Sequence, residues 1–228
     1  AVAVKPATMV GEDQPLGLAG PPRRFVSRGG EKLEAALTRF EVTVSGAEAL
    51  DAGASTGGFT DCLLQAGASH VVAVDVGYGQ FDWGLRTDPR VTLLERTNVR
   101  DLRPEMLPYR PGLVVADLSF ISLTVVLRSL RDIGTPDAMF LVLVKPQFEA
   151  GPSDVGSGGV VRDPSVWRRV LETVLAACGS VDLAPSGLMA SPRPGPAGNI
   201  EFLLLAGGSG PASSLDIDAA ITEGLVLA

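Results

Sequence analysis

Leu50-Asp51-Ala52-Gly53-Ala54-Ser55-Thr56-Gly57-Gly58-Phe59-Thr60 decides the fold. The apolar Ala49-Leu50-Asp51 reads as a strand end, the three glycines as a tight turn, and Phe59, Leu63 and Leu64 as one face of a following helix. Glycine lets the backbone turn sharply and lets a ligand approach without a Cβ in the way. No Gly-Lys-Ser/Thr follows, so the turn is not a P-loop. Nor does it spell G-x-G-x-x-G, whose second glycine makes room for a pyrophosphate. An acid, Asp51, opens the turn, where a phosphate would be repelled and a cation welcomed. Asp75 closes the next apolar stretch, where a carboxylate can take both hydroxyls of a ribose. A sugar-binding carboxylate beside a loop with no phosphate signature points to S-adenosylmethionine, which is positively charged, ahead of NAD.

Outward from the loop, Val71 to Val74, Val91 to Leu94, Leu113 to Ala116, Met139 to Val144 and Phe202 to Leu205 are unbroken apolar runs. Such runs are expected of strands buried on both faces. Between them lie helical patterns. Leu33, Ala36, Leu37 and Phe40 form one, and Leu123, Val126, Leu127 and Leu130 within Ile121 to Leu130 form another. Val166, Val170 and Val174 follow Asp163-Pro164, an N-cap with proline in the first turn. Alternating buried strands and helices predict an α/β fold with a mainly parallel sheet. Ligands of such folds sit beyond the carboxyl ends of the strands.

The composition agrees. With 228 residues, 46% hydrophobic and 20% charged, the chain suits one globular domain plus a small appendage and is too apolar for disorder. No apolar run approaches the roughly 20 residues that span a bilayer, and no secretion signal is legible. A cytoplasmic location is therefore expected. Cys62 and Cys178 have no metal-ligand spacing and are expected to be buried, and the single histidine, His70, supports neither a metal site nor a catalytic triad. The formal net charge of -7 argues against a self-sufficient nucleic-acid binder.

Two charges stand directly at strand ends. Asp117 follows Leu113 to Ala116, and Lys145 follows Met139 to Val144. Neither suits an interior unless paired, and two beside a glycine loop predict a pocket. Lys32, on the first helix, and Glu201, ahead of the last strand, are candidates to join them.

Arg28-Gly-Gly-Glu-Lys32, Asp51-Ala-Gly-Ala-Ser-Thr-Gly-Gly-Phe59, Asp75-Val-Gly-Tyr-Gly79, Ala116-Asp-Leu-Ser-Phe-Ile-Ser122, Val144-Lys-Pro-Gln-Phe-Glu149 and Gly198-Asn-Ile-Glu201 occur in this order. Together they resemble the TlyA (haemolysin-A-like) ribosomal RNA methyltransferases, which share their fold with FtsJ-type 2′-O-methyltransferases. The resemblance covers about Phe25 to Ala206. It implies a Rossmann-like class I S-adenosylmethionine-dependent methyltransferase with a seven-stranded sheet and helices on both faces. It further implies a Lys-Asp-Lys-Glu tetrad of Lys32, Asp117, Lys145 and Glu201. Gly53, Ser55, Thr56, Gly57, Gly58 and Phe59 of the loop, with Asp51, Asp75 and Asp117, would hold the cofactor, and Thr97 or Asn98 would lie near its adenine. The substrates would be cytidine riboses in small- and large-subunit ribosomal RNA, free or in ribosomal subunits, with no metal and no membrane.

The chemistry needs such groups. A ribose 2′-hydroxyl is a poor nucleophile, so its proton must leave as the methyl arrives. A protonated lysine has no lone pair to accept it. Desolvation and a second cation lower a lysine's pKa, and neighbouring carboxylates raise it. Lys145 is the expected base or alkoxide stabiliser, tuned by Lys32, with Asp117 and Glu201 orienting the lysines. Asp117-Leu-Ser-Phe120 also has the outline of the Asp/Asn-Pro-Pro-Tyr/Phe motif of base-amino methyltransferases, but both prolines are missing. That alternative leaves Lys32 and Lys145 without roles. A cytosine-C5 mechanism would need a cysteine at the site. A non-catalytic RNA-binding module and a haemolytic protein are the alternatives of other classes, and no amphipathic membrane segment supports the latter.

Segments are expected as follows: 1–16 a remnant of an S4 RNA-binding domain, 17–26 a linker, 27–207 the methyltransferase and 208–228 a tail. The family's linker carries Arg-x-Trp-Val, against Arg24-Phe25-Val26 here. Arg23, Arg24, Arg28, Arg162, Arg168 and Arg169 are candidate RNA contacts. Gly151 to Gly159, rich in glycine and serine, is a candidate lid. No oligomeric state follows from the sequence.

Overall fold

The computed structural model describes residues 23–207 and 214–227. The strands are β1 (Glu48–Ala52), β2 (His70–Val74), β3 (Val91–Leu94), β4 (Leu113–Ala116), β5 (Met139–Val144), β6 (Ala184–Ala190) and β7 (Phe202–Gly207). They form one sheet in the order β3-β2-β1-β4-β5-β7-β6. The pairs among β1 to β5 are parallel, whereas β7 runs antiparallel to both of its neighbours. The helices are α1 (Arg28–Arg39), α2 (Gly58–Gln65), α3 (Trp83–Arg86), α4 (Leu123–Ile133), α5 (Pro146–Glu149), α6 (Pro164–Ser180) and α7 (Ile217–Leu227).

The unbroken apolar runs are explained by two cores. Side chains alternate along a strand, so a strand covered on both faces needs apolar residues at every position. Leu50, Val72, Val114, Phe140 and Val142 face α4 and α6, packing with Val126, Leu130 and Trp167. Ala49, Val71, Ala73, Val115 and Leu141 face α1 and α2, packing with Leu33, Ala36 and Leu63. Trp167 is fully buried and its indole N–H donates to Val161 O at 3.0 Å, so truncation to alanine would cost about 3–5 kcal/mol. Cys62 and Cys178 are buried as expected, their thiols pushed up to about 12 and about 11 mainly by burial.

Local signals set the helix starts. Ser27 caps α1 by accepting from Gly29 N, Ser122 caps α4, and Asp163 caps α6 ahead of Pro164. The expected linker ends inside this domain. Phe25 is buried in the second core, Val26 N donates to Asp61 Oδ2 at 2.9 Å, and Gln65 Nε2 donates to Arg24 O at 3.0 Å. Segment 1–16 and most of 17–26 lie outside the described residues.

β6 and α7 were not expected from sequence, nor were the short helices α3 and α5. β6 has a register shift between Pro185 and Gly187 and lacks the branched apolar run of the other strands. α7 occupies the expected tail and packs on β6 and α6 through Ala220, Ile221 and Gly224.

The topology positions the site. The carboxyl ends of β1, β2, β4 and β5 share one edge of the sheet. Because β7 is reversed, its start lies at that edge too: Val144 pairs with Phe202, so Lys145 and Glu201 are neighbours across the ladder.

Candidate active site

After β1, Gly53 adopts φ +86 and its N–H donates to Val74 O at 2.8 Å. A Cβ here would lie 2.6 Å from Asp117 O, so only glycine lets the loops after β1 and β4 pass in contact. Gly58 is equally confined, since its Cβ would sit 2.1 Å from Ser27 Oγ. The glycine loop is thus wedged between the start of α1 and the Asp117 loop.

Two cavities meet at this loop. The first, about 280 Å³, is lined by Lys32, Asp117, Ser119, Lys145 and Glu201 together with Arg28, Gly53, Ser55, Thr56, Gly58 and Phe59. The second, about 520 Å³, is lined by Asp75, Gln80, Thr97, Asn98, Leu118 and Phe120 among others. Gly53, Ser55, Asp117 and Ser119 line both. The structure therefore brings the four expected tetrad residues to one cavity, and Asp75, Thr97 and Asn98 to its neighbour.

The tetrad forms two pairs. Lys32 Nζ donates to Glu201 Oε2 at 2.5 Å, with both side chains buried. Gln147 Nε2 donates to the other carboxylate oxygen of Glu201 at 3.3 Å. Lys145 Nζ lies 2.6 Å from Asp117 Oδ1 and donates to Ser119 Oγ at 2.8 Å. Each of the two buried lysines thus faces one carboxylate, which makes the site rich in directed polar contacts.

Asp75 accepts from Ser55 N at 2.8 Å, Gly77 N at 2.6 Å and Gln80 Nε2 at 3.2 Å. Its carboxylate ties the glycine loop to the turn after β2. Thr97 and Asn98 line the second cavity, but Thr97 Oγ1 donates to Glu95 O and Asn98 Oδ1 accepts from Arg100 N. They shape the cavity wall while their side chains serve their own turns.

Two loop residues depart from expectation. Gly57 lines neither cavity; it ends the turn at φ +98, where a Cβ would meet Leu85 at 2.5 Å. Asp51 was expected to face a cation and instead points behind the loop. It is fully buried and lines neither cavity, and its Oδ2 accepts from Thr60 Oγ1 at 2.7 Å. Burial pushes its carboxyl up to about 7, with the nearby Asp117 and Asp75 charges adding to the rise. Its Oδ1 is buried without a hydrogen-bond partner. The two cavities share Gly53, Ser55, Asp117 and Ser119, and the carboxylates of Asp75 and Asp117 line the second, a donor set that fits a cationic nucleoside such as S-adenosylmethionine.

The candidate RNA arginines divide into two groups. Arg24 pairs with Glu34, Arg168 with Asp218, and Arg169 with Asp154 at 2.8 Å, all at the surface. Arg23, Arg28 and Arg162 are exposed, and Arg28 lines the first cavity. The Asp154–Arg169 pair also fastens the middle of the candidate lid. Asn199 Nδ2 holds the lid's end through Gly159 O at 2.8 Å, so the lid is tethered at two points.

Sequence reading missed Ser119, Phe120 and Glu149. Phe120 is 91% exposed and holds φ +64, an unusual conformation for a bulky side chain, with its ring 5.1 Å from Phe148. Glu149 accepts from Leu123 N at 2.7 Å and Ser122 Oγ at 2.5 Å, clamping the loop after β4 to the loop after β5. All three lie inside quoted motifs, but only the backbone conformation and long-range contacts reveal them. Among the described residues no helix is long and apolar enough to cross a membrane, and no His/Cys/Asp/Glu cluster could hold a metal.

The FtsJ-like methyltransferase family matches residues 25–208. The 16S/23S rRNA (cytidine-2′-O)-methyltransferase TlyA of Mycobacterium tuberculosis is 53% identical over 203 residues, covering 89% of this chain and 76% of that protein. Hemolysin A of Brachyspira hyodysenteriae is 40% identical, covering 79% of this chain and 75% of that one. A crystal structure from Lactococcus lactis, provisionally described as a hemolysin, superposes with a TM-score of 0.84 at 41% identity, covering 87% of this chain and 97% of that chain.

Proposed function

Since this chain belongs to the FtsJ-like methyltransferases, in their TlyA group, we propose that it methylates ribose 2′-hydroxyls of cytidines in small- and large-subunit ribosomal RNA. It acts in the cytoplasm, on ribosomal RNA or ribosomal subunits, with S-adenosylmethionine as donor. The observation that carries this reading is the convergence of Lys32, Asp117, Lys145 and Glu201 on one cavity that shares its wall with the glycine loop.

The cofactor, when bound, would supply a methyl group carried on a sulfonium. Gly53, Ser55, Thr56, Gly58, Phe59 and Asp75 would hold it, with Thr97 and Asn98 on the wall of the second cavity as the candidates for its adenine side. Asp51, buried behind the loop and bonded to Thr60, supports the turn rather than touching the ligand. The ribose 2′-hydroxyl enters the first cavity, and Lys145, reacting as the neutral amine, takes its proton at Nζ as the oxygen takes the methyl. Asp117 stabilises the ammonium that results. Lys32, anchored by Glu201, adds a fixed positive charge that favours the developing alkoxide. Phe120, on the wall of the neighbouring second cavity, offers an exposed ring on which the cytosine of an extruded nucleotide can stack. Arg28, exposed and lining the first cavity, is the candidate contact to a phosphate of the substrate strand.

The base-amino alternative leaves the two buried lysines without work. The experiment is methylation of ribosomal subunits with labelled cofactor, followed by digestion to nucleosides. Label on the ribose of cytidine is expected, and label on a base would overturn the reading. A Lys145→Ala variant that binds cofactor normally yet methylates fully would overturn the residue assignment alone.

A further inference from the structure

The tetrad supplies charge, but its contacts leave open what aims the reacting nitrogen. Asp117 Oδ1 lies 2.6 Å from Lys145 Nζ, yet that oxygen has no partner within hydrogen-bonding angles. The carboxylate therefore contributes attraction with little direction. The directed hydrogen bond of Lys145 goes to Ser119 Oγ at 2.8 Å. We propose that Ser119 is a positioning residue for methyl transfer, its hydroxyl fixing the rotation of the Lys145 amino group so that the lone pair faces the ribose 2′-hydroxyl. The inference rests on the methyl-transfer reading above and deepens it.

A neutral amine carries two hydrogens and one lone pair in three staggered positions about the Cε–Nζ bond. With nothing to hold it, the lone pair visits all three. One hydrogen pinned to Ser119 Oγ fixes the rotation, and the negative charge of Asp117 draws the second hydrogen to its own side. The lone pair is left in the third position. The Phe148 ring, 5.7 Å from Nζ, flanks the amino group and donates no hydrogen bond that would compete for the pair. When the proton moves from O2′ to Nζ, Lys145 becomes an ammonium with hydrogens toward Ser119, Asp117 and the new ether oxygen. No group has to rotate during the transfer, which is the condition for fast proton transfer from a held nucleophile.

Ser119 is well placed for such a role. It lines both cavities, so its oxygen stands at their junction. Its backbone is held from both sides. Asp117 N donates to Ala52 O at 3.0 Å, and beyond Phe120 the Glu149 carboxylate clamps Ser122 and Leu123. An exposed serine on a loop this constrained has little structural work of its own, which makes its contribution separable.

The test compares Ser119→Ala, Ser119→Thr, Lys145→Ala and the Ser119→Ala/Lys145→Ala double variant with the parent protein. The measurements are single-turnover methylation of ribosomal subunits and, separately, cofactor affinity. Ser119→Ala should slow methyl transfer roughly ten- to a hundredfold with cofactor affinity unchanged. Ser119→Thr, which keeps the acceptor, should recover most of the rate. In the Lys145→Ala background the serine change should cost nothing further, because Ser119 acts only through that lysine. Full activity of Ser119→Ala, a loss confined to cofactor affinity, or an undiminished loss without Lys145 would each overturn the assignment. Failure of the parent protein to place methyl on ribose would instead overturn the methyl-transfer reading, so the two failures are distinct.

Discussion

The Lys32–Glu201 pair supports a quantitative test of what holds the site together. Its side chains are 8% and 1% exposed, the N–O distance is 2.5 Å, and the carboxylate's other oxygen has only the longer contact from Gln147. Two buried ions this well paired roughly balance their desolvation, but either one alone is stranded in low dielectric. Glu201→Gln and Lys32→Met should each destabilise the fold by about 3–5 kcal/mol. For a domain of this size that lowers the melting temperature by roughly 6–20 °C. The Lys32→Met/Glu201→Gln double variant should regain much of the loss, since no unpaired charge remains, while staying inactive. Denaturant unfolding followed by tryptophan fluorescence measures all three, and the buried Trp167 reports the core directly. Two outcomes would refute the reasoning: single variants costing under about 1 kcal/mol, or a double variant costing the sum of the singles.

Three further predictions concern neighbouring groups. Asp51 is held protonated up to about pH 7 by burial, so between its unfolded pKa near 4 and that point the folded state keeps a proton that the unfolded state has released. Its contribution to stability is therefore greatest at acid pH and erodes as pH rises through 7. Asp51→Asn should gain on the parent over that interval by up to a few kcal/mol and level off above it, and parallel stability curves from pH 4 to 8 would refute this. Gly53→Ala should abolish cofactor binding by calorimetry, because the added methyl at φ +86 lies 2.6 Å from Asp117 O. Phe120→Gly should change unfolding free energy by no more than about 1 kcal/mol, the loss of the Phe148 contact being offset by relief of the left-handed backbone, yet lower RNA methylation at least tenfold.

The parts of the fold that announce themselves in the sequence are those whose burial demands one kind of residue. β3, β4 and β5 coincide with the apolar runs, and α6 starts where Asp163-Pro164 places it. β6 escaped notice because Ala184-Pro-Ser-Gly-Leu-Met-Ala190 has neither an apolar run nor clean alternation; it is an edge strand whose Gly187 yields to the Phe40 ring. Lys32, Asp117, Lys145 and Glu201 were readable as charges at strand ends and from the family resemblance. Which partner each would find depends on the antiparallel register of β7, and no local pattern encodes that. Asp51 misled for a related reason. Its position at the strand end suggested a ligand contact, but the direction of its side chain is set by Thr60 nine residues later. The arginines show the same limit, since Arg168 meets Asp218 and Arg193 meets Glu31 at 2.5 Å across long sequence separations.

The insertion of β7 between β5 and β6 has a consequence for biosynthesis. A ribosome emits β1 to β5, with the glycine loop, Asp75, Asp117 and Lys145, well before it emits Glu201. Until β7 slots in, β5 has an open edge and Lys32 has no carboxylate. A nascent or prematurely ended chain would thus possess much of the cofactor cradle but not the finished tetrad. Completion of the sheet and completion of the Lys32–Glu201 pair become one event.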